Sequence, residues 1–360
     1  MGFISWLFKR KEKDTDAQPA VPPADERAEP PPEVDAWQVF GASVRGASHE
    51  RASLPNQDAI GWWPESAAGP PLLLAVADGH GSVKCFRSDV GSRLGVATAL
   101  QVLQEFVEGQ SEPSDLTAVK RAIEEQLPVA IERRWKQAVE HHLEENPLLV
   151  KEVARLEDDA GTAARKAVEE NPILAYGATI LALLVQESFV ACLQLGDGDI
   201  LVVTDTGQIV RPMEDDARLF ANETTSLSSA DCWRDFRTYF QVWADAQPAL
   251  LMASTDGYSN AFSSDAGFLA VGSDLLELLR SEGLEKVKED LSGWLEEASR
   301  QGSGDDVTAG VLCRTAALKP RDQAQDLDEA QRGAERTESG LSEGAAVASE
   351  SGDQSEREST

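Results

Sequence analysis

The sequence predicts an α+β domain in which antiparallel β-sheet carries helices stacked against it. Three observations point there. Short apolar runs recur along the chain, several of them rich in β-branched or aromatic residues. Longer amphipathic stretches lie between some of these runs. The two kinds of segment do not alternate strictly, as a doubly wound parallel sheet would require.

Taken in chain order, the runs that read as strands are Gln38–Val44, Leu72–Ala77, Thr179–Val185, Phe189–Leu195, Ile200–Thr204, Phe236–Trp243, Leu250–Ser254 and Val307–Cys313. Their lengths suit strands rather than helices. Ser88–Val107 reads as a helix, since Val90, Leu94, Ala97 and Val102 recur at helical spacing. Ser114–Leu143 and Leu148–Glu169 are long, charged and amphipathic. They interrupt an otherwise compact order, so the stretch from about 114 to 170 is expected to be a helical insertion. Asp274–Ser281 and Glu285–Arg300 complete the helices. The folded body is expected to span 36–316, with no internal repeat.

The ends read differently. Residues 2–8 are GFISWLF and residues 9–13 are KRKEK. A secretory signal would place the positive charge first. A myristoylation signal would place Ser or Thr where Trp6 stands. The segment is either a frayed terminus or a short interfacial foot, with Trp6 and Phe8 in a membrane surface and Lys9, Arg10 and Lys11 on anionic lipid. A Pro-rich acidic linker follows, so 1–35 is expected to be disordered, as is the acidic tail 317–360.

Composition excludes several functions. The 360 residues carry a formal net charge of −30, which opposes general nucleic-acid binding. The four cysteines form no CxxC pair, so neither a disulfide framework nor a thiolate zinc site is expected. With only four histidines, any metal would be held mainly by carboxylates, which favours Mg²⁺ or Mn²⁺. No apolar run approaches the roughly 18 residues of a membrane span. The expected location is cytoplasmic, peripheral at the inner membrane if residues 2–11 touch lipid.

The informative feature is where aspartates fall. Asp78 follows Leu72–Ala77 and opens Asp78-Gly79-His80-Gly81. Asp256 follows Leu250–Thr255 and precedes Gly257; Asp197 lies between Gly196 and Gly198. Asp305 and Asp306 directly precede Val307, and Asp58 precedes Ala59-Ile60. Any one Asp-Gly pair can simply mark a turn. If all these strand ends converge, however, their mutual repulsion calls for cations. Two divalent ions about 3.5–4 Å apart, sharing one Asp and a water, would meet that need.

On these residues the chain resembles the metal-dependent protein serine/threonine phosphatases of the PPM (type 2C) family, in a bacterial-type form. The resemblance runs in order through Gly46-Ala47-Ser48-His49, Asn56-Gln57-Asp58, Ala77–Gly81, Tyr176–Thr179, Leu195–Gly198, Ser254–Gly257 and Gly304–Thr308. It implies a four-layer α-β-β-α sandwich of two antiparallel sheets flanked by helices. It implies two Mn²⁺ or Mg²⁺ ions bridged by Asp78, with the Gly79 carbonyl, Asp256 and Asp305 as further ligands. Asp58 would bind or orient water, and Asp197 would help hold a third, weaker ion. Asp306 is the alternative to Asp305 within the pair. Thr179 is implied to be structural.

The implied activity is hydrolysis of phosphoserine and phosphothreonine on proteins, the products of a Ser/Thr kinase, with no nucleic-acid partner. His80 is the candidate general acid, because imidazole titrates near the working pH. The chain departs from the family pattern at Ser53, where many members carry a phosphate-clamping Arg. Arg51 is the candidate replacement on the chemistry of guanidinium toward phosphate, though a surface loop arginine fits equally. Gly198-Asp199 stands where the family often has Ser-Arg, and 206–234 falls where it carries a variable flap. The alternative function is a pseudophosphatase that binds phosphoproteins without turnover.

Overall fold

In a computed structural model of the chain, the residues described are 36–109, 115–213, 225–243 and 247–319. The interfacial foot, the linker, most of the acidic tail and the middle of the flap lie outside them.

Two antiparallel sheets form the centre. The first runs β3-β1-β11-β10-β7-β8, from β1 (Trp37–Val44), β3 (Ala68–Gly69), β7 (Asp199–Val203), β8 (Ile209–Val210), β10 (Leu250–Ser254) and β11 (Val307–Arg314). The second runs β2-β4-β5-β6-β9, from β2 (Ala59–Trp63), β4 (Leu72–Ala77), β5 (Ile180–Val185), β6 (Phe189–Leu195) and β9 (Arg237–Val242). Strands β4, β5 and β6 are buried along their whole length, because both faces of their sheet are covered. That is why they read as continuous apolar runs rather than alternating ones.

Three hydrophobic clusters define the layers. Between the sheets, Val39, Leu72, Leu74, Leu183, Cys192, Leu251 and Leu312 interlock. Outside the first sheet, Leu201, Met252 and Val311 meet Phe268, Leu275, Leu291 and Leu295 of helices α7 (Asp265–Ser281) and α8 (Leu284–Ala298). Outside the second, Leu73, Ala75, Ala182 and Leu193 meet Val96, Ala99 and Leu103 of helix α2 (Ser88–Gly109). Each such side chain, fully buried, stabilises the fold by roughly 1.5–3 kcal/mol. The expected α-β-β-α sandwich is therefore the observed fold.

Within the stretch read as an insertion, α3 (Leu116–Glu125) and α4 (Leu127–Glu145) pack into that same outer cluster. Val119, Ile123, Ile131, Trp135 and Val139 are buried there. The Trp135 indole N–H donates to the Gly91 carbonyl at 2.9 Å. Helix α5 (Val150–Glu170) follows and breaks at Gly161, whose φ is 82°. The body continues through a 3₁₀ turn at Thr315–Leu318, with the Arg280 Nε donating to the Ala317 carbonyl.

Several elements differ from expectation: the stretch read as one helix over Ser114–Leu143 is two, α3 and α4, meeting at Gln126, and β3, β8 and the short helix Asp256–Ser259 were not foreseen. Strand β2 (AIGWW) carries a mid-strand glycine, which weakens a strand signal. A Cβ at Gly61 would stand 2.9 Å from the Val96 side chain, so glycine lets α2 approach the sheet. Helix α7 starts at Asp265 rather than Asp274, with Ser264 as its N-cap accepting from the Gly267 N–H at 3.2 Å. Gly267 and Gly272 lower the helical propensity of that first half. Helix α1 (Ala47–Ala52) is six residues long and lacks an apolar period to announce it.

Candidate metal-binding active site

Strand register gathers the aspartates. Ala59 pairs with Ala77 across β2 and β4, so Asp58 and Asp78 lie one step beyond, side by side. On the other sheet, Ser254 pairs with Ala309 on one side and with Asp199 on the other. Two residues past the end of β10, Asp256 opens the short helix α6 (Asp256–Ser259), beside Asp305–Asp306 and within reach of the Asp197 charge. Both sheets thus end in carboxylates at the same edge. The Thr255 and Thr308 hydroxyls, from the first sheet, both donate to Asp58 Oδ2 at the end of the second, at 2.8 and 2.7 Å.

The backbone around Asp78 is rigid. Its N–H donates to Thr179 Oγ1 at 3.0 Å, and the Thr179 N–H donates back to the Asp78 carbonyl at 2.8 Å. The Gly79 N–H donates to the Gln57 carbonyl at 3.1 Å. A Cβ on Gly79 would lie 2.6 Å from that carbonyl oxygen and 2.7 Å from the Ser88 oxygen, so no larger residue fits.

The electrostatics are those of crowded acids. Burial pushes Asp58 up to about 8, against the pull of its two threonine bonds, and the charges of Asp306 and Asp305 add to the rise. Burial raises Asp78 well above the usual carboxylate range, with Asp58, Asp256 and Asp305 adding repulsion. Asp256 is raised to about 6 by burial and by the charges of Asp197 and Asp305. A hydrogen bond joins Asp78 to Asp256, raising the first and lowering the second, as when Asp78 carries the shared proton. Asp78 thus feels Asp58, Asp256 and Asp305, and Asp197 joins the group through Asp256.

His80 sits beside them. Burial lowers its pKa and the charge of Asp197 opposes that shift. Asp305 and Asp306 part company: the Asp305 side chain is 54% exposed and the Asp306 side chain only 3%. Asp306 accepts from the Gly46 and Gln57 N–H groups, both at 2.6 Å, and its carboxylate lies 2.9 Å from His49 Nδ1. Its oxygens hold loops while its charge raises Asp58; the charge of Asp305 reaches Asp58, Asp78 and Asp256, and its Oδ1 accepts from the Asp306 N–H at 2.9 Å. Arg51 is exposed on α1, and no hydrogen bond or ion pair among the described residues joins it to the carboxylates. Ser53 caps that helix in the left-handed conformation, φ 56°.

Sequence reasoning missed the partners. Thr255, Thr308 and Ser43 form the polar support of Asp58, the Thr308 hydroxyl donating to Ser43 Oγ at 2.7 Å. The Arg237 guanidinium donates to the Gly196 carbonyl at 2.9 Å, next to Asp197. Thr-Asp and Asp-Asp-Val-Thr at strand ends carried the only signal for the threonines.

This donor set fits divalent cations. Oxygen ligands from several carboxylates and a backbone carbonyl suit hard ions such as Mg²⁺ and Mn²⁺. Repelling acids forced to keep protons are also the state that a bound cation relieves.

The fold is a two-sheet sandwich whose carboxylate edge offers oxygen ligands suited to divalent cations. The chain belongs to the protein phosphatase 2C family, whose model matches residues 45–296, well over half of its length. No curated protein matches it. Solved structures with a similar course include the *Mycobacterium tuberculosis* serine/threonine phosphatase PstP/Ppp, at 20% identity and a TM-score of 0.46 over 78% of this chain and 99% of that one. The catalytic domain of PstP in complex with two manganese ions gives 20% and 0.45 over 78% and 99%. The *Staphylococcus aureus* phosphatase Stp1 gives 15% and 0.44 over 81% and 99%.

Proposed function

We propose that this chain hydrolyses phosphoserine and phosphothreonine on proteins, using divalent cations held at the carboxylate edge. The observation that supports it most is the convergence of Asp58, Asp78, Asp197, Asp256 and Asp305 from distant strand ends into one charged cluster.

In this reading Asp78 holds both ions, and the Gly79 carbonyl, Asp256 and Asp305 complete their protein ligands. Asp197, close to Asp256, takes part in a third, weaker site. When bound, the cations acidify water from a pKa of 15.7 toward about 7 and offset charge on the phosphoryl oxygens. Asp58, fixed by two threonine hydroxyls, orients the attacking water. His80 gives a proton to the departing serine or threonine oxygen. Burial lowers its pKa, which makes the imidazolium a stronger acid but a scarcer one, and the charge of Asp197 works to keep it protonated. The substrates would be products of a Ser/Thr kinase, and the enzyme would meet them in the cytoplasm. No described helix is long and apolar enough to cross a membrane.

The direct test is phosphate release from a phosphoserine peptide with Mn²⁺ and with chelator. Release is expected only with metal. Ser53 in place of a phosphate-clamping arginine favours the second reading, a silent phosphoprotein binder. Peptide binding with no release at any Mn²⁺ concentration would select it.

His80→Ala should slow phosphoserine peptides far more than p-nitrophenyl phosphate, whose leaving group hardly needs a proton. A loss of about 10²-fold or more is expected on the peptide. Equal losses on both substrates would remove His80 from the acid role.

The acids also set a pH dependence. Folded Asp58 and Asp256 keep protons to about 8 and about 6, while unfolded carboxylates release theirs near 4. Across that window the unfolded chain binds fewer protons, so this contribution to metal-free stability is full below about pH 4 and falls as pH rises. Cations compete with those protons. The gap in Tm between Mn²⁺-loaded and chelated protein should therefore widen from pH 5 to pH 8. A gap that stayed constant would contradict the cluster.

A further inference from the structure

We propose that the groove between the 54–57 loop, the 81–86 turn and helix α5 seats an apolar side chain neighbouring the phosphoserine, so that the chain selects phosphoprotein segments by that residue. The inference rests on the reading above, in which the carboxylate edge takes a phosphorylated protein segment.

The two lips of the groove are the loops that carry the reacting groups. Gln57 immediately precedes Asp58, and Gly81 immediately follows His80. The Gly79 N–H, on the Gln57 carbonyl at 3.1 Å, joins one lip to the other. Each is fixed from behind. The Leu54 N–H donates to the His49 carbonyl at 2.9 Å and the Gln57 N–H to Asp306 at 2.6 Å. The Cys85 N–H donates to the Ser82 carbonyl at 2.8 Å. Helix α5 forms the third wall, tied to the end of the 81–86 turn by the bonds from Arg87 to Glu152. A phosphoserine at the carboxylate edge has chain leaving it on both sides, and this groove begins at the lips that one side would cross.

The lining decides what enters. The groove encloses about 370 Å³, and Leu54, Pro55, Val83, Phe86 and Leu156 supply its apolar surface. Val83 is 46% exposed there. The charged groups of the rim are already paired, Glu152 with Arg87 at 2.8 Å and Arg155 with Asp159 at 3.3 Å. A charged side chain would lose water and find those counter-charges committed, whereas an apolar one gains by burial. The polar group of the floor is the half-buried Gln57. Its Oε1 is turned toward Gly81 and accepts no hydrogen bond from the described residues. An orphaned buried acceptor is destabilising, and the last torsion of glutamine is broad, so the amide gains by turning outward onto a ligand. A primary amide both donates and accepts, which matches the C=O and N–H of a peptide main chain.

The test uses phosphonate peptides, in which a methylene replaces the ester oxygen so that binding is read without turnover. The peptides carry Leu or Ser at each of the two positions on either side of the phosphonate, and fluorescence anisotropy on the full chain with Mn²⁺ gives Kd. At one position or more, Leu should bind about tenfold tighter than Ser. Val83→Asp, at an exposed position, should cut that ratio to about twofold or less. The ratio is the readout because the added charge weakens every phosphonate alike. Val129→Asp, equally exposed on α4 and outside the groove, should keep it. Equal Kd for every Leu and Ser peptide on the unsubstituted chain overturns the proposal without needing any variant. So does a ratio that survives Val83→Asp or is lost equally in Val129→Asp, and so does the absence of saturable binding. Phosphate release from a phosphoserine peptide is followed in parallel. Release without a Leu preference removes the groove alone, while a preference without release keeps the groove and removes turnover.

Discussion

Asp78→Asn should lose metal-dependent turnover by at least about 10³-fold, equivalent to about 4 kcal/mol of transition-state stabilisation. The same substitution should abolish the rise in Tm that Mn²⁺ gives the unsubstituted protein. Asp78 stands at the carboxylate edge, one step beyond the β2–β4 pairs and beside Asp256. If it holds both ions, one change removes the shared ligand from each. The variant also separates this cause from misfolding. Without metal, burial and the charges of Asp58, Asp256 and Asp305 oblige Asp78 to keep a proton, so a neutral amide of the same shape spares the chelated protein that cost. Chelated Asp78→Asn should therefore melt no lower than the chelated unsubstituted chain. Near-normal turnover would show that Asp78 is not the bridge.

Arg87→Met should produce the largest loss of stability, about 3–5 kcal/mol. Arg87 is buried where helix α2 begins, and its guanidinium is fully committed. Nε and Nη2 donate to the two Glu152 oxygens at 3.1 and 2.8 Å. Nη1 donates to the Asn146 carbonyl at 2.6 Å and the Tyr176 hydroxyl at 2.7 Å, and Nη2 to the Pro147 carbonyl at 3.0 Å. The one side chain ties the α4–α5 connection to the strand-leading segment at Tyr176. Methionine fills similar space but leaves Glu152 with only the Leu149 N–H, at 2.7 Å, and strips the Asn146 and Pro147 carbonyls of this donor. At about 2–4 °C per kcal/mol, Tm should fall by about 6–20 °C. Mn²⁺ affinity should change little, since no carboxylate of the cluster is touched. Adding Glu152→Leu to Arg87→Met should recover part of the loss, because the stranded charge goes with it. A shift under about 2 °C for Arg87→Met would mean that the network is idle.

Much of the architecture was legible because burial on both faces leaves a plain mark. Leu72–Ala77, Phe189–Leu195 and Leu250–Ser254 are strands at the bounds that their apolar runs suggest. Strand β2 escaped notice because Gly61 and a pair of tryptophans break the run, and its identity depends on the approach of Val96 from another element. Asp58, Asp78, Asp197, Asp256 and Asp305 could be singled out as candidates because a carboxylate at a strand end, beside a glycine in all but Asp58, is a local pattern. Their convergence was not local. It depends on which strands pair and in what register, which one linear run does not encode. Arg87 gave no signal either, since an arginine is buried only when the helices that supply Glu152 and the Asn146 carbonyl have docked. For the pair Asp305-Asp306, only the family resemblance favoured the first as ligand and left the second as the alternative. They differ because the strap from Gly46 to His49 claims the second carboxylate and leaves the first facing the cluster.

The most direct measurement is a calorimetric titration of the full chain with Mn²⁺, run beside phosphate release from a phosphoserine peptide in the same buffer. The account predicts at least two Mn²⁺ per chain and release that rises with their occupancy. Saturable binding of none, together with no release at any concentration, would contradict it.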